Sequence, residues 1–338
     1  MLSVRHLVVD AGDRQAVLED VSFDIAAGSV LGVVGESGSG KTLTGLAIAR
    51  LLPSGARTKS GEIWFEGTEL LGASEAHMAQ VRGRRIGVTF QEPSLALSPV
   101  HTVGWQLETA LRATSAGPSG ARRDATKSTR SKAIALLGEV SLPSPERLLD
   151  ARTHQLSAGM RRRVALAIAL AGDPALLIAD SPTTGLDTPI QAQILDLLAR
   201  LVRERKLAVL FITRDLGAVA ELANDLIVLY GGQVVECGPV GSLFREAQHP
   251  YTRSLFESVP DRSGRFTQSL APPISIRAPR PPELAEDACR FAMRCAVRAE
   301  APERFPRCLE SAPALEPASA KHRSRCFYPH IPSAVRDD

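Results

Sequence analysis

The chain has 338 residues, of which 44% are hydrophobic, and its formal net charge is +3. This is enough for one sizeable core with an appendage, or for two modest domains. The near balance of charge gives no sign of a nucleic-acid binder, which usually shows a dense basic patch. No apolar run approaches the roughly 20 residues that cross a bilayer, and residues 1–10 do not form a secretory leader. We therefore expect a soluble, cytoplasmic protein that has no nucleic-acid partner and contacts a membrane only through another protein.

Short apolar runs alternate with helical patterns over most of the chain. Buried strands are predicted at residues 30–35, 176–180 and 209–213. Helices are predicted at residues 42–52 and 191–205. The apolar runs 226–230 and 233–236, on either side of two glycines, predict a hairpin. Because strands alternate with helices, we expect an α/β fold built on a parallel sheet.

Two stretches depart from this alternation. Residues 114–130 are rich in Ser, Thr, Gly and Arg, which predicts a solvated loop inside a helical insertion. After Pro260 the chain carries about half of its 23 prolines. Proline interrupts helices, so we expect a loop-rich tail with little core of its own, to which a bound metal could supply stability.

A phosphate-binding loop is the clearest motif of the chain. The pattern G-x-x-x-x-G-K-[ST] is matched in full by Gly35, Glu36, Ser37, Gly38, Ser39, Gly40, Lys41 and Thr42. It lies between a predicted strand and a predicted helix, which is the context that distinguishes the motif from a glycine-rich turn. The backbone N–H groups and the helix N-terminus favour phosphate. We expect Lys41 to reach the β- and γ-phosphates and Thr42 to bind Mg²⁺.

A second phosphate element is an acidic residue that ends a buried strand. Asp180 ends the predicted strand 176–180 and is expected to hold Mg²⁺ through water. An aspartate that merely ends a strand is the ordinary alternative. Its pairing with the phosphate loop favours the metal role and predicts a P-loop NTPase.

Further motifs resemble those of the ATP-binding-cassette (ABC) proteins. The run Leu156-Ser157-Ala158-Gly159-Met160 resembles the ABC signature and precedes the apolar helical run 164–170, which Ser157 is placed to cap. Gln91 resembles the glutamine of the Q-loop. The run Gly185-Leu186-Asp187 resembles the D-loop. These motifs follow one another in the order and spacing of the family over residues 1–258.

The resemblance implies an ABC cassette, in which a RecA-like parallel-sheet core carries an antiparallel β subdomain and a helical subdomain. It implies that Thr42, Gln91 and Asp180 hold Mg²⁺. It also implies that the signature of one subunit closes on the γ-phosphate held by the opposite subunit. Ser157, Gly159 and Asp187 are therefore expected to contact a nucleotide, and Gln91 to communicate with a membrane subunit.

Two segments resemble one branch of this family. Residues 92–99 are similar to the segment after the Q-loop in peptide importers, and residues 249–255 to a motif of oligopeptide, dipeptide and nickel importer ATPases. A cysteine-bearing tail is another mark of that branch. We expect a nucleotide-binding domain at 1–250, its helical subdomain at about 92–158, and an oligopeptide-importer-type extension at 251–338.

Three positions depart from the family pattern. Ser181 stands after Asp180, where the family has a glutamate that polarises the attacking water, and a hydroxyl has no useful basicity near neutral pH. Arg214 replaces the switch histidine and cannot relay a proton, although it could pair with phosphate oxygens. Residues 7–12 lack the aromatic ring expected to stack on adenine, for which His6 is a weak substitute.

These departures predict that the chain's own site binds Mg-ATP but hydrolyses it poorly. Because ABC sites are composite, the chain can still donate Ser157 and Gly159 to the competent site of a second ATPase subunit. Ala158 adds a methyl group where glycine is usual, which costs little backbone energy in a helical conformation. We therefore expect a heterodimer in which the two nucleotide sites differ.

Four cysteines lie in the C-terminal tail: Cys289, Cys295, Cys308 and Cys326. In a reducing compartment such a cluster favours a metal over disulfides. The spacing lacks the paired knuckles of a zinc ribbon, whereas wide and unequal spacing suits an iron–sulfur cluster. The resemblance also implies a [4Fe–4S] cluster, with zinc and unmetallated thiols as the alternatives. The fifth cysteine, Cys237, lies in the predicted hairpin and has no expected role.

The resemblance implies the energy subunit of an importer, on the cytoplasmic face of a bacterial plasma membrane. The partners would be a second ATPase subunit, two transmembrane permease subunits and an extracytoplasmic peptide-binding protein. A non-transport ABC ATPase is a competing class, but it usually carries two cassettes or a long coiled-coil insertion. A purely regulatory ATP-binding protein is a third. The cargo stays open among peptides, nickel chelates and glutathione-like molecules.

Overall fold

A computed structural model describes residues 1–12, 14–115, 125–258, 288–300, 303, 306–317 and 321–329. The strands within these residues are β1 (Leu2–Ala11), β2 (Arg14–Ile25), β3 (Val30–Val34), β4 (Ala56–Phe65), β5 (Thr68–Glu69), β6 (Ile86–Thr89), β7 (Leu176–Asp180), β8 (Ala208–Ile212), β9 (Asp225–Tyr230), β10 (Gln233–Pro239), β11 (Glu316–Pro317) and β12 (Arg323–Ser324).

The α-helices of the described residues are α1 (Lys41–Ile48), α2 (Glu75–Val81), α3 (Val103–Ser115), α4 (Ala125–Glu139), α5 (Pro145–Leu148), α6 (Ala158–Leu170), α7 (Thr188–Arg205), α8 (Leu216–Leu222), α9 (Val240–Glu246), α10 (Pro250–Glu257), α11 (Ala296–Glu300) and α12 (Arg307–Glu310). None of the helices in these ranges is both long and apolar enough to span a membrane.

The predicted site lies at one edge of a large sheet, where several of its strands end. Its strand order in the described residues is β11-β12-β10-β9-β3-β8-β7-β6. The inner strands run parallel, with β3 between β8 and β9. Every residue of β3, β7 and β8 is buried, as expected for parallel strands covered on both faces. The carboxyl ends of these three strands therefore lie side by side, where the sequence predicts the phosphate site.

An antiparallel sheet of order β2-β1-β4-β5 forms the second sheet of the described residues. Leu2 of β1 pairs with Ile25 of β2 on one side and with Phe65 of β4 on the other. The family resemblance implied such a subdomain, but the residue pattern did not delimit its strands. Register shifts in both pairings break the strict alternation that marks a strand in sequence.

Two hydrophobic clusters hold these layers together. One lies between the large sheet and its helices and includes Leu107, Leu137, Val164, Leu198 and Phe211. The other joins the antiparallel sheet to α1 and the large sheet and includes Leu7, Ile48, Phe65, Ile178 and Leu229. At Gly45 of α1, an added Cβ would lie 2.9 Å from side-chain atoms of both β7 and β8. The absence of a side chain there lets the first helix pack closely on the two strands beneath it.

The predicted strands of the core are confirmed to within a residue or two, and the predicted helices differ mainly at their ends. The helix expected at 42–52 ends at Ile48, because Arg50 adopts a left-handed φ of 51°. The helix expected at 191–205 begins three residues earlier, with a proline in its first turn, where proline is tolerated.

The solvated loop predicted at residues 114–130 is wrong at both ends. α3 continues to Ser115 and α4 begins at Ala125. Residues 116–124 lie outside the described residues. Burial of Thr129 and Ala133 gives α4 a tertiary anchor that overrides the polar composition of its first turns.

The cysteine-bearing tail lies against the large sheet. Residues 259–287 are outside the described residues. The described part that follows contains only short elements, the longest being α11 with five residues, which agrees with the predicted loop-rich texture. β12 of the tail pairs with β10, with Glu236 opposite Ser324. The boundaries 1–250, 92–158 and 251–338 stay predictions.

Candidate nucleotide-binding site

The predicted phosphate loop spans the connection from β3 to α1. Three of its glycines have positive φ: 149° at Gly35, 79° at Gly38 and 103° at Gly40. A Cβ at Gly35 would lie 2.1 Å from the Leu229 carbonyl oxygen, so this turn requires glycine. Positive φ at such glycines is typical of loops whose backbone N–H groups bind anions.

Lys41, the first residue of α1, lies folded into this loop. Its Nζ donates hydrogen bonds to the carbonyl oxygens of Gly35 (2.8 Å) and Glu36 (2.7 Å). Burial is the main cause that lowers the pKa of Lys41 to about 8, and the charge of Arg214 lowers it further, whereas Asp180 and Glu36 oppose the shift. Because the charges of Arg214, Asp180 and Glu36 all act on Lys41, these residues are neighbours in one site.

The two residues predicted to hold Mg²⁺ by oxygen are in direct contact. Thr42 Oγ1 donates a hydrogen bond to Asp180 Oδ2 over 2.7 Å. Asp180 is buried at the end of β7, with 5% of its surface exposed. A hydroxyl and a carboxylate that converge in this way are suitable ligands for a hard divalent cation.

Ser181 occupies the position after Asp180 in a left-handed conformation, with φ of 52°. Its Oγ donates to Asp180 Oδ1 over 3.1 Å, and its N–H donates to the Ile212 carbonyl over 2.7 Å. Its carbonyl accepts from Arg162 Nη1 over 2.8 Å. The residue is thus fixed beside the Asp180 carboxylate, and its hydroxyl acts as a donor there rather than as a base.

Arg214 follows β8 on an exposed turn. The preceding Thr213 is buried and its N–H donates to the Val33 carbonyl over 3.1 Å, which ties this turn to the strand that leads into the phosphate loop. Because the charge of Arg214 acts on Lys41, its guanidinium belongs to the same site. It adds positive charge where a triphosphate would bind.

Gln91 lies on an exposed turn after β6. Its carbonyl oxygen accepts a hydrogen bond from Arg162 Nη1 over 3.4 Å, and the same guanidinium group reaches the Thr184 carbonyl. Sequence reasoning missed Arg162, which bridges the segment of Gln91 to the segment after Asp180. Its only sequence signal was its place among the arginines that follow the signature run.

The predicted signature and D-loop residues form a second surface. Ser157 caps α6, and its Oγ accepts from the Met160 N–H over 3.2 Å, so the predicted cap is confirmed. Asp187 precedes the first residue of α7. An added Cβ at Gly159 would lie 3.1 Å from Ile190 of α7. Ser157, Gly159 and Asp187 line one groove of about 390 Å³.

Residues 7–12 include no aromatic side chain, as the sequence shows. Although His6 has a largely exposed ring, its Nδ1 is paired with Asp20 Oδ1 over 2.7 Å. Asp20 also accepts from Arg325 of the tail over 2.9 Å. The tail therefore reaches the antiparallel sheet on this side.

Comparisons with known proteins decide the family. The profile described as ABC transporter matches residues 18–184, and that described as oligopeptide/dipeptide transporter, C-terminal region, matches residues 235–301. A probable peptide ABC transporter ATP-binding protein of Sinorhizobium fredii is 43% identical over 97% of this chain and 94% of its own length. The chain belongs to the ATP-binding proteins of the oligopeptide/dipeptide ABC transporter family. The dipeptide transport ATP-binding protein DppD of Escherichia coli is 37% identical over 97% of both chains.

A solved structure shows the same cassette fold. The dimeric ATP-binding cassette MJ0796, in a post-hydrolysis state bound to ADP and Pi, superposes with a TM-score of 0.63 at 25% identity. The match covers 71% of this ABC protein and 99% of that chain. The predicted fold class, a P-loop NTPase cassette of the ABC type with a C-terminal extension, is confirmed.

The four tail cysteines of this ABC protein are all free thiols. The Cys289 N–H donates to the Cys308 carbonyl over 3.0 Å. Burial raises the pKa of Cys326 to about 12, and the charges of Cys289, Cys295 and Cys308 add to the rise. The four thiols therefore lie near one another. Within the described ranges, however, no three His, Cys, Asp or Glu side chains are close enough to share a single metal ion.

This arrangement fits a single zinc ion poorly, since zinc draws four ligands around one centre. An iron–sulfur cluster also takes four thiolates, but on separate irons, so its ligands stand farther apart. The chemistry of the donors fits such a cluster. Burial of the thiols means that binding would have to displace protons from groups whose pKa is raised.

Proposed function

We propose that the chain is the ATP-binding energy subunit of an importer of dipeptides or oligopeptides. The observation that carries the proposal is an intact phosphate loop with Lys41, Thr42 and Asp180 assembled, on a chain that shares its length with peptide transport ATP-binding proteins. Two permease subunits and an extracytoplasmic binding protein complete the importer, and the chain lies on the cytoplasmic face of the membrane.

The chain's own site binds Mg-ATP but hydrolyses it slowly. Ser181 and Arg214 stand where the family has a carboxylate base and a histidine, and loss of a well-placed general base costs about 10²–10⁴ in rate. Purified chain should therefore bind Mg-ATP and release phosphate at a rate near background. Brisk turnover by a verified homodimer of this chain would contradict the proposal.

The working site belongs to a second ATP-binding subunit, to which this chain donates its signature. The groove lined by Ser157, Gly159 and Asp187 supports this role, because the hydroxyl and the free N–H groups of a capped helix start face outward there. Donors held in place beforehand stabilise the transferring phosphoryl group, and loss of one costs about 10²–10³ in rate. Ser157→Arg should abolish ATPase activity and transport of the whole complex.

Two lysine variants, assayed in the same assembled complex, identify the working site. Lys41→Ala in this chain should weaken nucleotide retention but reduce ATPase activity less than the equivalent change in the second subunit. The reverse ranking would overturn the assignment. Transport of labelled dipeptides, with nickel chelates and glutathione as competitors, identifies the cargo.

A regulatory ATP-binding protein is the second candidate, favoured by the same Ser181 and Arg214. The two candidates differ in their partners. Copurification of the tagged chain with two permeases and a second ATP-binding subunit supports the importer. ATP binding without membrane partners in a detergent extract supports regulation.

We infer further that Cys289, Cys295, Cys308 and Cys326 hold a [4Fe–4S] cluster of structural role. The convergence of four free thiols supports this. Protein purified without oxygen should be brown and contain about four irons per chain. Stoichiometric zinc without iron, or metal-free thiols in protein purified without oxygen, would contradict the inference.

A further inference from the structure

The segment between the first two tail cysteines contacts the phosphate loop. Arg294 forms a bidentate pair with Glu36, the second residue of the phosphate loop: Nη1 donates to Oε2 over 2.8 Å and Nη2 to Oε1 over 2.9 Å. Arg290 of the same segment donates to the Gly231 carbonyl and to Glu19. The phosphate loop is thus bound from outside by a part of the chain 258 residues away.

The Arg294–Glu36 pair is largely shielded from water. The Arg294 side chain is 14% exposed and that of Glu36 28% exposed. The guanidinium lies over the ring of Tyr230, 5.6 Å from its centroid, and Phe291 packs edge-on against the same ring. A guanidinium that is stacked and doubly bonded has a defined position, so the pair fixes geometry in a way that an exposed ion pair does not.

Two further contacts act on Glu36. Its N–H donates to the Tyr251 hydroxyl over 2.9 Å, and its carbonyl accepts from Lys41 over 2.7 Å. Tyr251 belongs to α10, so the backbone and the side chain of Glu36 are held by different elements. Arg294 is the contact that fixes the side chain.

The charge of Glu36 makes this contact relevant to ATP. Its carboxylate is near enough to Lys41 to favour the protonated lysine. A carboxylate at that distance from the phosphate-binding lysine repels a triphosphate unless a cation compensates it. Arg294 supplies that compensation through a fork of two hydrogen bonds.

We propose that Arg294 is a positioning residue of the nucleotide site: it holds the phosphate loop through Glu36 and neutralises the carboxylate that would otherwise repel ATP. The inference rests on the proposed ATP binding of this chain. It makes the cysteine-bearing tail a working part of the nucleotide site.

Mg-ATP affinity of the full-length chain, measured by equilibrium dialysis, tests the inference in a double-mutant cycle. Arg294→Met should raise Kd by about tenfold. Glu36→Gln should lower Kd, because it removes the repelling charge while its amide oxygen can still accept a hydrogen bond from Arg294. The double variant should return to within about threefold of wild type, because no charge is left uncompensated. The loss in Arg294→Met should shrink as salt is raised, since salt screens the exposed carboxylate.

The matched control is Arg298→Met, which removes an arginine of the same tail whose Nε donates to the Ala292 carbonyl rather than to the phosphate loop. It should leave Kd unchanged. If Arg294→Met does not fold, as judged by its thermal unfolding, Arg294→Lys tests the same contact. Lysine keeps the positive charge but cannot form the two parallel hydrogen bonds of the guanidinium. We expect Arg294→Lys to raise Kd by about threefold.

Three outcomes decide the matter. Wild-type affinity in Arg294→Met, or in Arg294→Lys where that variant replaces it, overturns the inference and leaves the proposed function standing. A loss in Arg294→Met that persists unchanged in the Glu36→Gln background also overturns it, because Arg294 would then act only on the fold. Failure of the wild-type chain to bind Mg-ATP overturns the proposed function and this inference together.

Discussion

Thr42 and Asp180, 138 residues apart in sequence, are joined by a hydrogen bond of 2.7 Å between Oγ1 and Oδ2. The contact links the first turn of α1 to the end of β7. It places a hydroxyl and a carboxylate at one point beside the phosphate loop. A hard cation with oxygen ligands would bind there between the protein and the phosphates.

Asp180→Asn should therefore lose the magnesium dependence of ATP binding. The amide keeps the shape of the side chain and can still bond Thr42, but it lacks the charge that attracts the cation. ATP titrations of the protein, first with Mg²⁺ present and then with a chelator that removes Mg²⁺, measure the effect. Asp196→Asn, which removes an exposed charge from α7, is the matched control and should retain the dependence. Equal stimulation by Mg²⁺ in Asp180→Asn and wild type would show that Asp180 has no part in metal binding.

ATP affinity should fall as pH rises through the pKa of Lys41, which burial, above all, lowers to about 8. Below that value the lysine is charged in the free protein, and binding needs no proton. Above it, binding must first return a proton to the amine, so affinity falls by up to roughly tenfold per pH unit. Calorimetry in two buffers of different ionisation heat should detect proton uptake on the alkaline side. A constant affinity from about pH 7.5 to about pH 9 would contradict this.

Arg214→Gln should move that pH dependence to higher pH. The charge of Arg214 is the second cause that lowers the pKa of Lys41. Its removal lets the lysine keep its proton to higher pH, although one positive charge near Lys41 is lost at the same time. The expected result is weaker binding at neutral pH with a later alkaline decline. A decline at the same pH as in wild type would show that Arg214 does not act on Lys41.

Restoring the family's catalytic pair should produce hydrolysis in this chain's own site. Ser181→Glu supplies a base next to Asp180, and Arg214→His supplies a group that can exchange a proton near neutral pH. We expect phosphate release by the homodimer of the double variant to rise by about 10² or more over wild type. Each single variant should gain less, because the two groups act on the same step. Background rates in a double variant that still binds ATP would show that the site lacks something besides these two residues.

The contiguous parts of the site could be predicted because local residues encode them. The phosphate loop is eight successive residues between a strand and a helix. Ser157 is a residue type that commonly caps helices, so the start of α6 could be predicted from it. The strands 176–180 and 209–213 are recognisable because burial on both faces makes them continuously apolar. Such features require no knowledge of distant contacts.

The parts that sequence reasoning missed depend on contacts between distant segments. The pairing of Arg294 with Glu36 has no local signature, and α4 begins in a polar stretch that only burial against other helices stabilises. Tyr251 lies in a segment that resembles a family motif, but the motif does not indicate what its side chain contacts. In the structure its hydroxyl accepts a hydrogen bond from the Glu36 N–H. A motif can mark a family without revealing which contact it provides.

His249 begins the helix that carries Tyr251, and it is buried with 2% of its surface exposed. Its Nδ1 accepts from the Tyr251 N–H over 3.0 Å, and its own N–H donates to Glu236 Oε2 over 2.9 Å. Burial lowers the pKa of His249 to about 4, with Glu236 opposing the shift and Arg325 adding to it. The native structure therefore holds a neutral imidazole as the cap of α10.

The stability of the protein should consequently fall as pH drops from about 6.5 to about 4. In this range His249 binds a proton in the unfolded chain but stays neutral in the folded protein. The full shift corresponds to roughly 3 kcal/mol in the free energy of unfolding. His249→Asn keeps an oxygen that can accept from the Tyr251 N–H but cannot titrate. Urea unfolding of both proteins across this range measures the difference. Wild type should lose stability faster than His249→Asn. Parallel curves would mean that His249 accepts a proton in the native state without cost.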